Sequence, residues 1–176
     1  MMNIKRSLLA LILTLTVLFA GSYLVDSYKF NHALNDDLLK IDGVERVEID
    51  KSSTIYKVEV TLRAVDNLIE VYEGINDRIK ETTKDERYKL VINSDSAELT
   101  EMYEGINLAL YEALETGEFV KLGERVDNFA KEYQLDKSEI KVDTDYLYLT
   151  LIKEKQELYK VVKRSQKKRL GGEMNG

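Results

Sequence analysis

The pentapeptide Tyr72-Glu73-Gly74-Ile75-Asn76 recurs unchanged as Tyr103-Glu104-Gly105-Ile106-Asn107, and this duplication limits the chain's possible folds more than any other feature. Upstream of each copy lies a matching strand-like triplet, Tyr56-Lys57-Val58 before the first and Tyr88-Lys89-Leu90 before the second. Each copy therefore reads as a strand followed by a helix. A solenoid needs ~3 or more repeats, so two copies are expected to pack as a pseudo-symmetric pair within one sheet-and-helix layer. Glycine inside a helix costs roughly 0.5–1 kcal/mol relative to alanine. Its presence in both copies asks for a reason. The leading expectation is structural: Gly74 and Gly105 let another backbone approach closely, with Tyr72 and Tyr103 packing beside them. The alternative is a ligand-contacting surface that also uses Asn76 and Asn107.

The flanking sequence extends the same pattern. Val44–Asp50 and Ile55–Leu62 alternate apolar and polar residues around the turn Lys51-Ser52-Ser53-Thr54, which predicts a hairpin. Val65–Thr82 carries Leu68, Val71, Tyr72, Ile75 and Ile79 at helical spacing. Tyr88–Ile92 reads as a short strand. A second helix follows, with Asp95 and Glu98 spaced as a capping box. Phe119, Leu122, Val126, Phe129, Ala130 and Tyr133 form a further helical stripe. Ile140–Val142 and Tyr146–Ile152 predict strands joined across Asp143-Thr144-Asp145, and Leu158–Val162 reads as a returning strand in preference to a basic helix. The expected fold class is α+β. From Asp26 to Ile92 the order of elements is that of a split β-α-β unit, so a ferredoxin-like arrangement with a duplicated strand-helix unit is expected.

Ahead of this body stands Ser7–Val25, nineteen residues without a charge, directly after Lys5 and Arg6. At ~1.5 Å per residue a helix of this length spans roughly the ~30 Å hydrocarbon core of a bilayer. A cleaved signal peptide is the competing reading, with Ala20-Gly21-Ser22 as a weak processing site. Apolar character continues through Tyr23, Leu24 and Val25, which favours an uncleaved anchor. The expected layout is a basic tip at 1–6, a transmembrane or signal-anchor helix at 7–25, an extracytoplasmic α+β domain at 26–164 and a flexible basic tail at 165–176. The basic tip places the N-terminus inside and the domain outside the cell membrane.

Charge and composition narrow the function classes. The net charge is −6; Lys5 and Arg6 contribute +2, while Lys160, Lys163, Arg164, Lys167, Lys168 and Arg169 against Glu173 contribute +5, leaving −13 on residues 26–157. A body this acidic argues against nucleic-acid binding, whereas the basic tail suits anionic surfaces. There is no cysteine and one histidine, His32, so Ser–His hydrolysis and Cys/His metal sites lack their parts. Asp143-Thr144-Asp145 could offer hard oxygens to a divalent cation, but a hairpin turn needs the same side chains for its own backbone. No catalytic, cofactor or metal residues are therefore expected. Eleven tyrosines against four phenylalanines fit a wet binding surface. These features point to a non-enzymatic, single-pass envelope protein whose domain binds a partner protein, in an assembly or transport complex. A membrane-tethered enzyme using carboxylates and a secreted ligand-binding domain are the alternatives.

Overall fold

The structure, a computed structural model, describes residues 11–16, 31–50, 55–83 and 87–164. Residues 31–38 form a helix (α1) that buries Leu34 and Leu38 completely. The chain continues as β1 (Val44–Asp50), β2 (Tyr56–Leu62), α2 (Leu68–Thr83), β3 (Tyr88–Asn93), α3 (Ala97–Thr116), α4 (Phe119–Tyr133), β4 (Lys137–Val142), β5 (Tyr146–Lys153) and β6 (Gln156–Lys163). The α+β class expected from the sequence is the class that forms.

The strands divide into two three-stranded sheets, β1-β2-β3 and β4-β5-β6. In the first, β1 runs antiparallel to β2 as the hairpin pattern requires, with residues 51–54 outside the described set. Strand β3 pairs parallel to β2, and the register sets Tyr56 beside Tyr88, Lys57 beside Lys89 and Val58 beside Leu90. The duplicated triplets thus lie side by side, residue against equivalent residue. A parallel pair needs a crossover, and α2 supplies it. Its buried stripe of Leu68, Tyr72, Ile75 and Ile79 shares a core with Val58, Val60, Ile92 and the two α1 leucines.

The single ferredoxin-like layer does not form, because the second helix leaves the first sheet. Leu99, Tyr103, Ile106 and Leu110 of α3 pack with Leu122 and Val126 of α4 against Leu147, Leu149 and Leu151 of β5. The reason lies in β5 itself. Its alternate residues serve two cores: Tyr148 joins the first, while Leu147, Leu149 and Leu151 join the second. A strand covered on both faces reads as a continuous apolar run, which is what Tyr146–Ile152 shows. The second sheet is therefore an antiparallel meander held between α2 on one face and α3–α4 on the other. The segment from Leu158 is strand, as expected, paired along the whole of β5.

Local signals set the joints. Helix α3 is capped by Ser96, whose hydroxyl accepts from the Leu99 N–H at 3.0 Å, in place of the capping box expected at Asp95 and Glu98. Asp95 instead meets Arg46 at 2.6 Å, and Glu98 meets Lys153 at 2.6 Å and Gln156 at 2.8 Å. Gly43, at φ 88°, lies where an added Cβ would come within 2.8 Å of Val65 Cγ2, so only glycine fits. The loop from β2 to α2 is tied to β6: the Ala64 N–H donates to Glu157 at 2.6 Å and the Val65 N–H to the Tyr159 hydroxyl at 3.0 Å.

Of Ser7–Val25, residues 11–16 lie within the described set; they are helical, with Leu11, Ile12 and Leu13 more than half exposed. Among the described residues no helix is long and apolar enough to cross a membrane. The rest of the expected anchor, the tip at 1–6 and the tail at 165–176 lie outside the described residues.

Candidate functional site

Helix α2 presents Tyr72, Glu73, Asn76, Asp77 and Lys80 on one side, since residues three and four apart share a helix face. That side does not lie flat on the second sheet. Between it and the β4–β5 hairpin is a cleft of about 490 Å³, whose other wall is made by Asp143, Asp145, Tyr146, Tyr148 and Lys163. Three tyrosine rings meet at its floor. Tyr72 stands edge-on to Tyr146 and Tyr148, with centroids at 5.1 and 5.9 Å, and Tyr146 lies 6.2 Å from Tyr148. These separations are those at which aromatic edges and faces attract. The alternation of β5 aims Tyr146 and Tyr148 towards α2.

Asp143 organises the hairpin end. One carboxylate oxygen accepts the backbone N–H groups of Asp145 and Tyr146, each at 2.7 Å, and the other accepts the Tyr148 hydroxyl at 2.7 Å. Its backbone carbonyl accepts the Arg164 guanidinium. Burial alone would raise the Asp143 pKa. The Tyr146 N–H, the Tyr148 hydroxyl, the Asp145 N–H and the Arg164 charge outweigh it and hold the carboxyl below the usual range. Asp143 is thus a fixed negative charge. Burial, chiefly, pushes the Tyr72 and Tyr148 hydroxyls well above the ordinary tyrosine range, with neighbouring Tyr146 adding to Tyr72 and Asp143 adding to Tyr148. The cleft therefore combines neutral phenols with the fixed charge of Asp143 and the nearby side chains of Glu73, Asp77 and Asp145, an arrangement suited to cationic groups that also carry apolar stems.

The two pentapeptides reach different places. Tyr72 and Asn76 line the cleft, and Asn76 accepts the Tyr88 hydroxyl. Tyr103 lies on the opposite face of the second sheet, under the Lys160 ammonium, which sits 5.3 Å from its ring centroid. Burial, then the nearby Tyr111 and Glu104, pushes the Tyr103 hydroxyl up to about 12. Asn107 donates to Glu104 at 3.4 Å, while its side-chain oxygen is buried without a partner among the described residues. The two copies form no common surface. Nor do their glycines admit a close backbone. A Cβ at Gly74 would meet no described atom within 4 Å, and one at Gly105 would meet only Phe129 Cε2, at an ordinary 3.6 Å. The close-approach explanation is therefore replaced by open helix surface.

Asp143-Thr144-Asp145 acts as a turn, with Asp143 consumed by the hydrogen bonds above. Among the described residues no three histidine, cysteine or acidic side chains gather in a group able to hold a metal. His32 is exposed on α1, beside a shallow hollow with Asn31, Asn35 and Ile49. Sequence reasoning missed Tyr146, Tyr148, Glu73 and Asp77 as members of a site. The one available signal was the tyrosine alternation directly after an Asp-x-Asp turn. Searches against protein-family models, curated proteins and solved structures find no match to this chain.

Proposed function

We propose that the chain is a membrane-anchored envelope protein whose α+β domain binds a partner protein, and that the tyrosine–carboxylate cleft receives a basic segment of that partner. The cleft carries the reading. Tyrosine supplies large contact area at low entropic cost, and Glu73, Asp77, Asp143 and Asp145 outnumber Lys80 and Lys163 around it. The anchoring rests on Ser7–Val25 and its Lys-Arg flank, and the acidic body suits a cationic partner. A carboxylate-dependent enzyme is the weaker alternative, because the best-placed acid, Asp143, is saturated by three hydrogen bonds.

The test uses the full chain in detergent, titrated with a lysine- and arginine-rich peptide and with an acidic peptide of equal length. The basic peptide is expected to bind, more weakly as salt rises. Glu73 and Asp77 are exposed, so Glu73→Gln with Asp77→Asn should leave the fold intact. At about 0.5 kcal/mol for each exposed pair, the double variant should weaken binding about fivefold. Equal affinity for both peptides, or no effect of the double variant, would refute the proposal.

A further inference from the structure

We propose that two copies of this chain join edge to edge through β4, antiparallel and centred on Ile140, so that their β4-β5-β6 sheets run on as one. The inference does not depend on what the cleft binds.

Strand β4 ends the order β4-β5-β6, and among the described residues no strand pairs with its outer side. The other end of that sheet is engaged: β6 meets the joint between β3 and α3, where the Ser94 hydroxyl donates to the Glu157 carbonyl at 2.9 Å. In the first sheet, the edge strand β1 is interrupted by a register shift between Val44 and Arg46, a device that blunts edges. The ladder's alternation decides which groups of β4 point outward. The Asp143 N–H donates to the Tyr146 carbonyl at 3.0 Å. In the same phase, Lys141, Glu139 and Lys137 turn their backbone groups towards Tyr148, Thr150 and Ile152 of β5. Ser138, Ile140 and Val142 therefore turn theirs away from the sheet, a row of donors and acceptors that another strand can match.

Charge selects the occupant. One face of β4 carries Lys137, Glu139 and Lys141, with the Glu139 carboxylate 3.6 and 3.0 Å from the two ammonium groups, and Asp143 follows. The series is plus, minus, plus, minus, so reversed it is its own complement. With a twofold axis through Ile140, Glu139 stands opposite Lys141 of the second copy and Lys137 opposite Asp143 of the second copy. Centring the pair on Glu139 would set that residue against itself and Lys137 against Lys141. Centring it on Lys141 would set that residue against itself and Glu139 against Asp143. Like charges directly opposite repel and unlike ones attract, so the Ile140 register stands out. Edge lysines ordinarily keep strands apart; here each faces a carboxylate. The other face agrees. Ile140 and Val142 lie at the margin of the second core, and in this register Ile140 meets its own equivalent while Val142 meets Ser138. The apolar layer thus continues across the junction, and the isologous contact closes at two copies.

Sedimentation velocity of the full chain in detergent tests this, and the wild type is expected to dimerise. Glu139→Lys or Lys141→Glu alone replaces two attractive cross-pairs by two repulsive ones. Each should weaken the dimer about 30-fold, equivalent to about 2 kcal/mol at ~1.4 kcal/mol per tenfold. Mixing the two single variants should restore association as a heterodimer, because each supplies the charges that the other lacks. That recovery would also show that both variants are folded. The chain has no cysteine, which allows a second readout of register. Ile140→Cys brings two thiols to the axis with Cα atoms about 5.5 Å apart, within the ~4.4–6.8 Å that a disulfide spans. Mild oxidation should then give a covalent dimer. Ser138→Cys should not, since its two copies lie roughly 13 Å out of register at ~3.3 Å per residue. A wild type that stays monomeric at about 0.1 mM would overturn the proposal. So would a dimer indifferent to both charge reversals, a mixture that does not recover, or equal cross-linking at both cysteine positions.

Discussion

Replacing Gly74 by alanine should stabilise the protein, although the glycine stands in a pentapeptide that the chain repeats unchanged. Gly74 is interior to α2, its φ is not positive, and an added Cβ meets no described atom within 4 Å. The steric term is therefore near zero, and the helix-propensity difference between glycine and alanine, roughly 0.5–1 kcal/mol, remains. Gly105→Ala should gain a similar amount, because Phe129 Cε2 at 3.6 Å is an ordinary contact and not a clash. Gly117 is the control of opposite sign. It ends α3 at φ 80° and donates its N–H to the Ala113 carbonyl at 2.8 Å. Alanine there should cost about 1 kcal/mol, since the left-handed region is unfavourable for residues with a Cβ. Thermal melts of the full chain in detergent, followed by circular dichroism, should move by about 2–4 °C per kcal/mol. Gly74→Ala and Gly105→Ala should rise and Gly117→Ala fall. A lower melting temperature for Gly74→Ala would refute the reasoning and restore a close neighbour at that position.

Tyr148→Phe keeps the buried ring but leaves one Asp143 oxygen without its donor; urea unfolding should show a loss of about 1–2 kcal/mol, with the slope unchanged. At alkaline pH, Tyr72 and Tyr148 hold their protons above the ordinary value of about 10, and Tyr103 and Tyr159, chiefly through burial, are pushed up to about 12. A folded-state pKa above the unfolded one gives stability that is complete below the unfolded value and is lost as pH rises through the folded one. Part of the phenolate absorbance should therefore appear only as the circular dichroism signal is lost, and its appearance in a fully folded chain would contradict the burial of these rings.

Much of the local structure was legible. The match of Tyr56-Lys57-Val58 to Tyr88-Lys89-Leu90 reflects real adjacency, since β2 and β3 pair with those residues opposite one another. The β5 pattern was legible as a strand because aromatic and β-branched residues fit a pleated surface. What covers each face was not. Tyr72 and Tyr103 sit in identical pentapeptides, yet one packs against Tyr146 and Tyr148 and the other under Lys160. A periodic stripe states which side of a helix is apolar and says nothing of its partner. Ser96 displaced the expected Asp95 cap because Arg46, brought in by β1, holds the Asp95 carboxylate. The cleft was hidden for a similar reason: its walls come from α2 and from a hairpin some seventy positions later in the chain. Each of its residues also has a plausible local role.

The repeat itself now has a narrower meaning. Both copies send a tyrosine to the second sheet, from opposite faces, and both bury the isoleucine three positions on, Ile75 fully and Ile106 to 4% exposure. Beyond that their surroundings diverge. Asn76 accepts a hydrogen bond at an open cleft, whereas the side-chain oxygen of Asn107 is buried without a described partner. Identical residues in unlike surroundings cannot be maintained by one shared ligand. The common requirement is architectural: a ring against the sheet and a branched apolar side chain into the core. Selectivity in the proposed cation cleft would then come from residues without a counterpart in the repeat, namely Asp77 on α2 and Asp143, Asp145, Tyr146 and Tyr148 at the hairpin. A ligand that binds through the cleft should accordingly respond to changes in that hairpin and ignore the second pentapeptide, even though the first and second are spelled alike.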